Sequence, residues 1–299
     1  MDGRLRIITW NVCHCRGGLE VPGADWRSTL LGTPRVDGGY LHLNRKHTQQ
    51  VAHVLRAARP DVVMLQEVPP TAVATLARIL GMRHACAVRT GPLVGSAAVR
   101  GWLGARNPDL WRTQEGNANA LLLGPRLTPL GRPTGLHLNP RRAVLANTLR
   151  GHLAVDEAVR WITEPRRALA VRALVEGGGH VTLACVHAHP GRHPWQAHRE
   201  MARLARWLRR MPGPAVLAGD LNLMPDHPAL EHLREAGFDA AEAPGLGLDR
   251  VLVRDADGGP ELRWATSRRT VEAQGRGRRL RVLLSDHDPV ERLVAVRAT

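Results

Sequence analysis

Eight polar residues carry the chemistry that this sequence can be asked to do: Asn11, Glu67, His187, Asp220, Asn222, Asp249, Asp286 and His287. Each stands at an end of a short apolar run. Ile7-Ile8-Thr9-Trp10 leads to Asn11, Val62 to Gln66 leads to Glu67, and Leu183-Ala184-Cys185-Val186 leads to His187. Val216-Leu217-Ala218-Gly219 leads to Asp220, with Asn222 two positions on. Asp249 opens the run Arg250-Val251, and Ser285-Asp286-His287-Asp288-Pro289 follows Leu284. Carboxylate and amide oxygens are the hard ligands that Mg²⁺ or Mn²⁺ prefers. Imidazole and amide N–H groups can donate to phosphate oxygens. Strand side chains alternate, so Asp220 and Asn222 are expected on one side of their strand with Leu221 on the other. Polar residues at the same end of several strands would then converge on one rim.

The runs that must position them lie at 5–9, 61–65, 118–123, 168–175, 181–186, 215–218, 250–253 and 282–284. They are rich in Val, Leu and Ile and bounded by Gly, Pro or polar clusters, as buried strands are. Helical periodicity falls between them at 46–58, 71–80 and 196–210. Alternating strands and helices predict an α/β or α+β layered fold. The chain reads as a single domain over 1–299. Two stretches break the rhythm: a Gly- and Pro-punctuated segment at 17–44, and one at 137–165 with a helix-like stripe of Leu149, Leu153, Val159 and Ile162. Both are expected to be insertions.

Composition bounds the partners. The net charge is +15 and the basic residues are almost all arginine. A positive field favours capture of phosphate-bearing ligands, from nucleic acid to anionic headgroups. No apolar run reaches the length of a membrane span, and residues 1–10 are strand-like rather than a secretory signal. Four cysteines in 299 residues suggest no disulfide scaffold. A reduced, cytoplasmic and monomeric protein is the expectation. Cys13-His14-Cys15 lacks a second pair at zinc spacing and reads as alternating residues after the first strand. His189 reads as a loop histidine before Pro190.

In their order, the motifs Thr-Trp-Asn-Val (9–12), Leu-Gln-Glu-Val (65–68), Gly-Asn-Ala (116–118), Val-His (186–187), Gly-Asp-Leu-Asn (219–222), Leu-Asp-Arg-Val-Leu-Val (248–253) and Ser-Asp-His-Asp-Pro-Val (285–290) resemble the endonuclease/exonuclease/phosphatase family, the deoxyribonuclease I-like phosphoesterases. That resemblance implies a four-layered sandwich, two packed and mostly antiparallel β-sheets flanked by helices. It implies a Mg²⁺ or Mn²⁺ ion held by Glu67 with Asn11, Asp286 completing or supporting the shell. Asp220 would activate the attacking water with Asn222. His187 and His287 would donate to the phosphate, and Asp249 would orient His287.

The expected reaction is hydrolysis of a phosphodiester by water, with nucleic acid as first substrate. The alternatives are a lipid headgroup as in sphingomyelinases, an inositol phosphate or other small phosphorylated metabolite, and a catalytically silent phosphate-binding scaffold. Asn11-Val12-Cys13 departs from the Asn-x-Asp usual in abasic-site members, which disfavours that specialisation. Arg268, Arg269, Arg276, Arg278 and Arg279 read as a loop leading into Asp286-His287, where guanidinium groups could meet DNA or RNA phosphates. Trp102, Trp111 and Trp161 could touch lipid, stack on bases or pack in a core.

Overall fold

Period-two alternation along the apolar runs sends one set of side chains to each face of a strand, and here both faces are covered. A computed structural model describes residues 4–15, 35–37, 40–42, 47–89, 118–163, 165–177, 179–190, 194–240, 247–275 and 278–296. One sheet runs β13 (Asp257–Gly258), β17 (Val290–Ala295), β1 (Arg4–Asn11), β4 (Val62–Val68), β6 (Ala118–Leu123), β5 (His84–Arg89), with β14 (Leu262–Arg263) also on β17. The other runs β12 (Asp249–Arg254), β11 (Ala215–Asp220), β10 (Gly179–His187), β9 (Arg167–Val175), β7 (Leu127–Pro129), with β8 (Thr134–His137) also on β9. A small third sheet joins β15 (Thr270–Gly275), β16 (Arg278–Leu283), β3 (Tyr40–His42) and β2 (Arg35–Asp37). Among these strands, only the pairs β1–β4, β10–β11 and β16–β3 are parallel.

The two large sheets pack face to face. Leu5, Ile7, Val62, Met64 and Leu121 meet Val171, Leu183, Cys185, Val216 and Val251 in one buried cluster. The next residues along, Ile8, Trp10, Val63 and Leu65, face the other way onto Val51 and Leu55 of α1 (Thr48–Ala57) and Val73 and Leu76 of α2 (Pro70–Leu80). On the opposite side Ala184, Val186, Leu217 and Leu252 pack on Met201, Leu204 and Leu208 of α5 (Pro194–Arg209), with Leu233 of α6 (Glu231–Arg234). Helix, sheet, sheet and helix form the four layers.

The stretch at 137–165 holds two helices, α3 (Arg141–Leu149) and α4 (Val155–Thr163). The stripe read from sequence is largely wrong there. Val144, Leu153, Ala158 and Trp161 form the small core, while Leu149, Val159 and Ile162 are exposed. Most of the stretch at 17–44 lies outside the described residues, as do Trp102, Trp111 and Gly116-Asn117. Among the described residues, no helix is long and apolar enough to cross a membrane.

Candidate active site

The register of the second sheet builds half of the site. His187 pairs with Asp220 across β10–β11, and Asp220 pairs with Asp249 across β11–β12. Three adjacent strands therefore deliver an imidazole and two carboxylates side by side. Cys185, Ala218 and Val251 lie on the inter-sheet face, so alternation carries His187, Asp220 and Asp249 onto that face too. The close approach depends on Gly219. A β-carbon there would stand 1.9 Å from the Val186 carbonyl oxygen. His187 Nε2 comes to 3.5 Å from Asp220 Oδ2.

The first sheet supplies the facing groups. Asn11, at the end of β1, donates from Nδ2 to Asp220 Oδ2 at 3.1 Å, tying the two sheets together. In β4, alternation favours Gln66 rather than Glu67 on the inner face. Gln66 is buried there and donates to Thr9 Oγ1 at 3.1 Å and to Cys185 Sγ at 3.2 Å. Glu67 reaches the site because its backbone takes φ 51°, at a register shift between Leu65 and Val68. Such left-handed backbone in a non-glycine residue costs energy and is typical of functional positions. Its carboxylate lies 3.7 Å from His187 Nε2 and 3.7 Å from His14 Nε2.

Asp286 and His287 stand in the connection from β16 to β17, not at the end of a strand. Ser285 organises it: its hydroxyl donates to the Asn11 carbonyl at 2.6 Å and accepts from the His287 amide at 3.1 Å. Trp10 Nε1 donates to the His287 carbonyl at 2.9 Å. The His287 ring then places Nδ1 2.6 Å from Asp249 Oδ2 and Nε2 3.9 Å from Asp220 Oδ2. Asp286 is exposed, and its carboxylate accepts from Ser285 Oγ at 3.3 Å. Asp288 is held by Arg263 and Arg269. Asn222 follows β11 at φ 52°, so its amide N–H donates to Asp220 Oδ1 at 2.9 Å and its side chain donates to the Ala188 carbonyl at 3.0 Å. It braces both neighbours of the rim.

The electrostatics separate these groups. Burial, then the neighbouring Asp249 charge, raises the Asp220 carboxyl to about 7, against the opposing pull of His287, Asn11 and the Asn222 amide. Burial pulls His287 down, but the hydrogen bond and charge of Asp249, with Asp220 and Asp286, more than offset it and bring His287 to about 10. His187 is held well below the usual imidazole range, by burial first and by Arg166 next.

Arg166 and His14 were not singled out as site residues from sequence. Arg166, just before β9, sets Nη1 2.8 Å from both ring nitrogens of His187. Its one sequence signal is an arginine directly before a strongly apolar strand. His14 sits in the Cys13–Cys15 turn, all three residues of which take positive φ. The arginine-rich segment is a β-hairpin, β15–β16, rather than a loop. Arg269 in front of it is buried and bonded to Asp288 and the Ser285 carbonyl, so it braces the His287 connection instead of facing solvent. Arg268 lies 4.2 Å from the Trp264 ring centre. Arg278 and Arg279 stand in β16, and Arg276 lies outside the described residues.

Two donor sets could hold a divalent ion. Asp220, Asp249 and His287 offer ligand atoms within 4.8 Å of one another. The 2.6 Å Asp249–His287 contact is a hydrogen bond that needs the imidazole proton, which argues against a metal between them. Glu67 fits a hard cation better. Among the described residues its carboxylate has two imidazoles at 3.7 Å and no hydrogen bond or arginine partner, and the amide of Asn11 ends the neighbouring strand, Asn11 pairing with Gln66.

Comparisons with known proteins agree with this architecture. The chain resembles an endonuclease/exonuclease/phosphatase from Beutenbergia cavernae at 20% identity and TM-score 0.60, over 98% of this chain and 72% of that one. It resembles the human Nocturnin catalytic domain, with bound sulfate, at 14% identity and TM-score 0.59, over 99% and 96% of the two chains. A mannosyl-6-phosphatase from Bacteroides thetaiotaomicron gives 13% identity and TM-score 0.60, over 97% and 99%. At these identities the likeness is one of fold. No curated protein matches the chain significantly. The model of the Endonuclease/Exonuclease/phosphatase family matches residues 8–287, and the chain belongs to that family.

Proposed function

We propose that this protein is a divalent-metal-dependent hydrolase that cleaves a phosphodiester by attack of water, with nucleic acid as the preferred substrate class. The observation that carries the reaction is the position of Asp220, hydrogen-bonded by Asn11 and flanked by His187 and by a His287 locked to Asp249. A general base works best when its pKa lies near the working pH, and Asp220 is raised to about 7. Asp220 takes the proton of the attacking water. His287, protonated up to about 10, donates from Nε2 to an oxygen on which charge develops. Asp249 keeps His287 charged and oriented. His187, neutral and buried, positions a second phosphoryl oxygen. Asn222 holds Asp220 and the Ala188 carbonyl in place.

Glu67 with Asn11, supported by Asp286, would hold the ion. When bound, a divalent cation polarises the phosphoryl group and neutralises charge that builds on its oxygens. Most of the rate enhancement then comes from positioning and electrostatics. The nucleic-acid preference rests on the net charge of +15. One panel tests both levels: single- and double-stranded DNA, RNA, sphingomyelin and inositol phosphates with Mg²⁺ or Mn²⁺, using Asp220→Asn as the blank. Cleavage of a nucleic acid, lost in the variant and in chelator, is the expected result. Turnover of only a lipid or small phosphorylated metabolite overturns the substrate class. Equal rates for wild type and variant on every substrate and on bis-p-nitrophenyl phosphate overturn the enzyme.

A further inference from the structure

The turn after β1 is built at a conformational cost. Cys13, His14 and Cys15 take φ 42°, 55° and 55°, a left-handed run that L side chains rarely adopt. It is nonetheless firmly tied. The Val12 amide donates to the Gln66 carbonyl at 3.0 Å, the Cys15 amide to the Val12 carbonyl at 2.8 Å, and the His47 amide to the Cys15 carbonyl at 2.7 Å. The His14 ring, on a residue only 9% exposed, is thereby set with Nε2 3.7 Å from Glu67 Oε2. Glu67 is itself held at φ 51°. Two residues in strained backbone, on separate elements, turn toward each other, and such strain clusters at functional sites.

Their separation is informative. At 3.7 Å a carboxylate oxygen and a ring nitrogen are too far apart for a hydrogen bond. Two ligands of one ion, each about 2.1 Å from it, stand about 3 Å apart when adjacent and about 4.2 Å apart when opposite, so the gap suits a shared cation. Among the described residues the His14 side chain has no hydrogen-bond partner. Asn11 is more committed: its Oδ1 accepts from the Cys13 amide at 3.2 Å and its Nδ2 donates to Asp220. It can offer an ion one lone pair of its amide oxygen. Glu67 and Asn11 alone therefore make a sparse shell, and His14 is a ring donor within reach. The other imidazole beside Glu67, His187, has its Nε2 3.5 Å from Asp220 and 2.8 Å from Arg166.

We propose that His14 is a metal-ligating residue: it gives the ion held by Glu67 one imidazole nitrogen and makes the site favour a first-row transition ion over Mg²⁺. The role rests on the metal-dependent reading for the presence of the ion, and it goes beyond that reading in ligand and in ion class. Mg²⁺ is held by oxygen, whereas Mn²⁺, and Co²⁺ more strongly, gain from an imidazole ligand.

The test uses the full chain and reads the ion directly. Pulsed electron paramagnetic resonance of bound Mn²⁺ detects a ligating imidazole through its nitrogen hyperfine coupling. Wild type is expected to show that coupling and His14→Asn to lose it. Asparagine suits the variant because it tolerates left-handed backbone. Calorimetry should find Co²⁺ and Mn²⁺ weakened about tenfold in His14→Asn, with Mg²⁺ held within about twofold. His187→Gln should keep the coupling, and Glu67→Gln should lose the tight ion. A coupling that survives in His14→Asn, is absent from wild type, or is lost only in His187→Gln overturns the proposal. Equal weakening of all three ions also overturns it, because that is the behaviour of a merely structural turn residue. Should His14→Asn fail to fold, His14→Gln decides it by the same readings. Metal binding needs no turnover, so a chain that binds Mn²⁺ through His14 yet cleaves no ester sinks the enzyme reading alone. An active, metal-dependent enzyme whose coupling is unchanged in His14→Asn sinks this one alone.

Discussion

The two histidines of the rim are one residue type in one cleft, yet one ends up neutral and the other charged. Burial depresses both. His287 faces Asp249 at 2.6 Å and is lifted to about 10, while His187 faces Arg166 at 2.8 Å and is pushed further down. They also differ in how they are held. His187 ends β10 and is fixed by the ladders to β9 and β11, whereas His287 sits in a connection fixed by side chains of β1 and Ser285. The neighbours Asp249 and Arg166, more than the imidazole itself, decide which one is charged.

Breaking the Asp249–His287 pair is the sharpest test. Activity in the proposed mechanism needs Asp220 ionised and His287 protonated. The rate should rise as pH climbs through about 7 and fall as it passes about 10. Asp249→Asn removes the largest contributions raising His287, so its pKa falls from about 10, held up against burial only by Asp220 and Asp286. Removing the Asp249 charge also lowers Asp220, but the window between the two narrows from the alkaline side. A loss of kcat/KM of about 10³-fold at pH 8, with the alkaline limb displaced downward, is expected. An alkaline limb that stays near 10 in the variant detaches His287 from the reaction.

His187→Gln probes the neutral partner. Loss of one positioned donor costs about 10²-fold in kcat. Because His187 carries no charge over the active range, both limbs of the pH profile should keep their places. Movement of either limb beyond half a unit would show that His187 titrates during turnover, and the contrast between the two histidines would collapse.

Much of this site is legible in the sequence. Asn11, His187, Asp220 and Asp249 close or open apolar runs, and alternation alone sends them to one face. The rest depended on effects that have no local signature. Glu67 enters through a single positive φ that reverses the alternation. Arg166 reaches the rim only because β9 pairs with β10, which sets it beside a ring 21 residues further along the chain. Val290–Ala295, central in its sheet beside β1, reads as a mixed polar stretch because Glu291 and Arg292 are buried with partners, Trp264 donating to Glu291 and Arg292 pairing with Asp239. The segment 140–165 misled because helical period by itself does not say which stripe is covered.

Asp220 between the two histidines has a stability signature of its own. Its folded pKa is raised from 3.8 to about 7, so the fold binds that proton more tightly than the unfolded chain does. The corresponding stability is present below pH 3.8 and is lost as pH rises through 7, where the ionised carboxylate sits opposite Asp249 on the next strand. Asp220→Asn should therefore melt higher than wild type above pH 7, by roughly 1 kcal/mol or about 2 °C, while the difference shrinks toward pH 4. Calorimetry across that range checks it, and a variant less stable at pH 8 would mean that the His287 charge outweighs the repulsion.

The smallest effect concerns how His287 is held. Trp10 of β1 is fully buried against α1 and α2, and its indole N–H is the side-chain donor to the His287 carbonyl. Trp10→Phe keeps most of the packing and removes that donor. The carbonyl loses a partner worth about 1 kcal/mol, and the His287 connection gains freedom. Because the Asp249 hydrogen bond is untouched, the alkaline limb should stay near 10 while kcat falls by a factor of about 3–5, the cost of a looser but still charged imidazole. The same substitution should leave the acid limb near 7, since β10 and β11 are held by their own ladder. Movement of both limbs would show that the two histidines share one rigid support, and that charge, not anchoring, is all that distinguishes them.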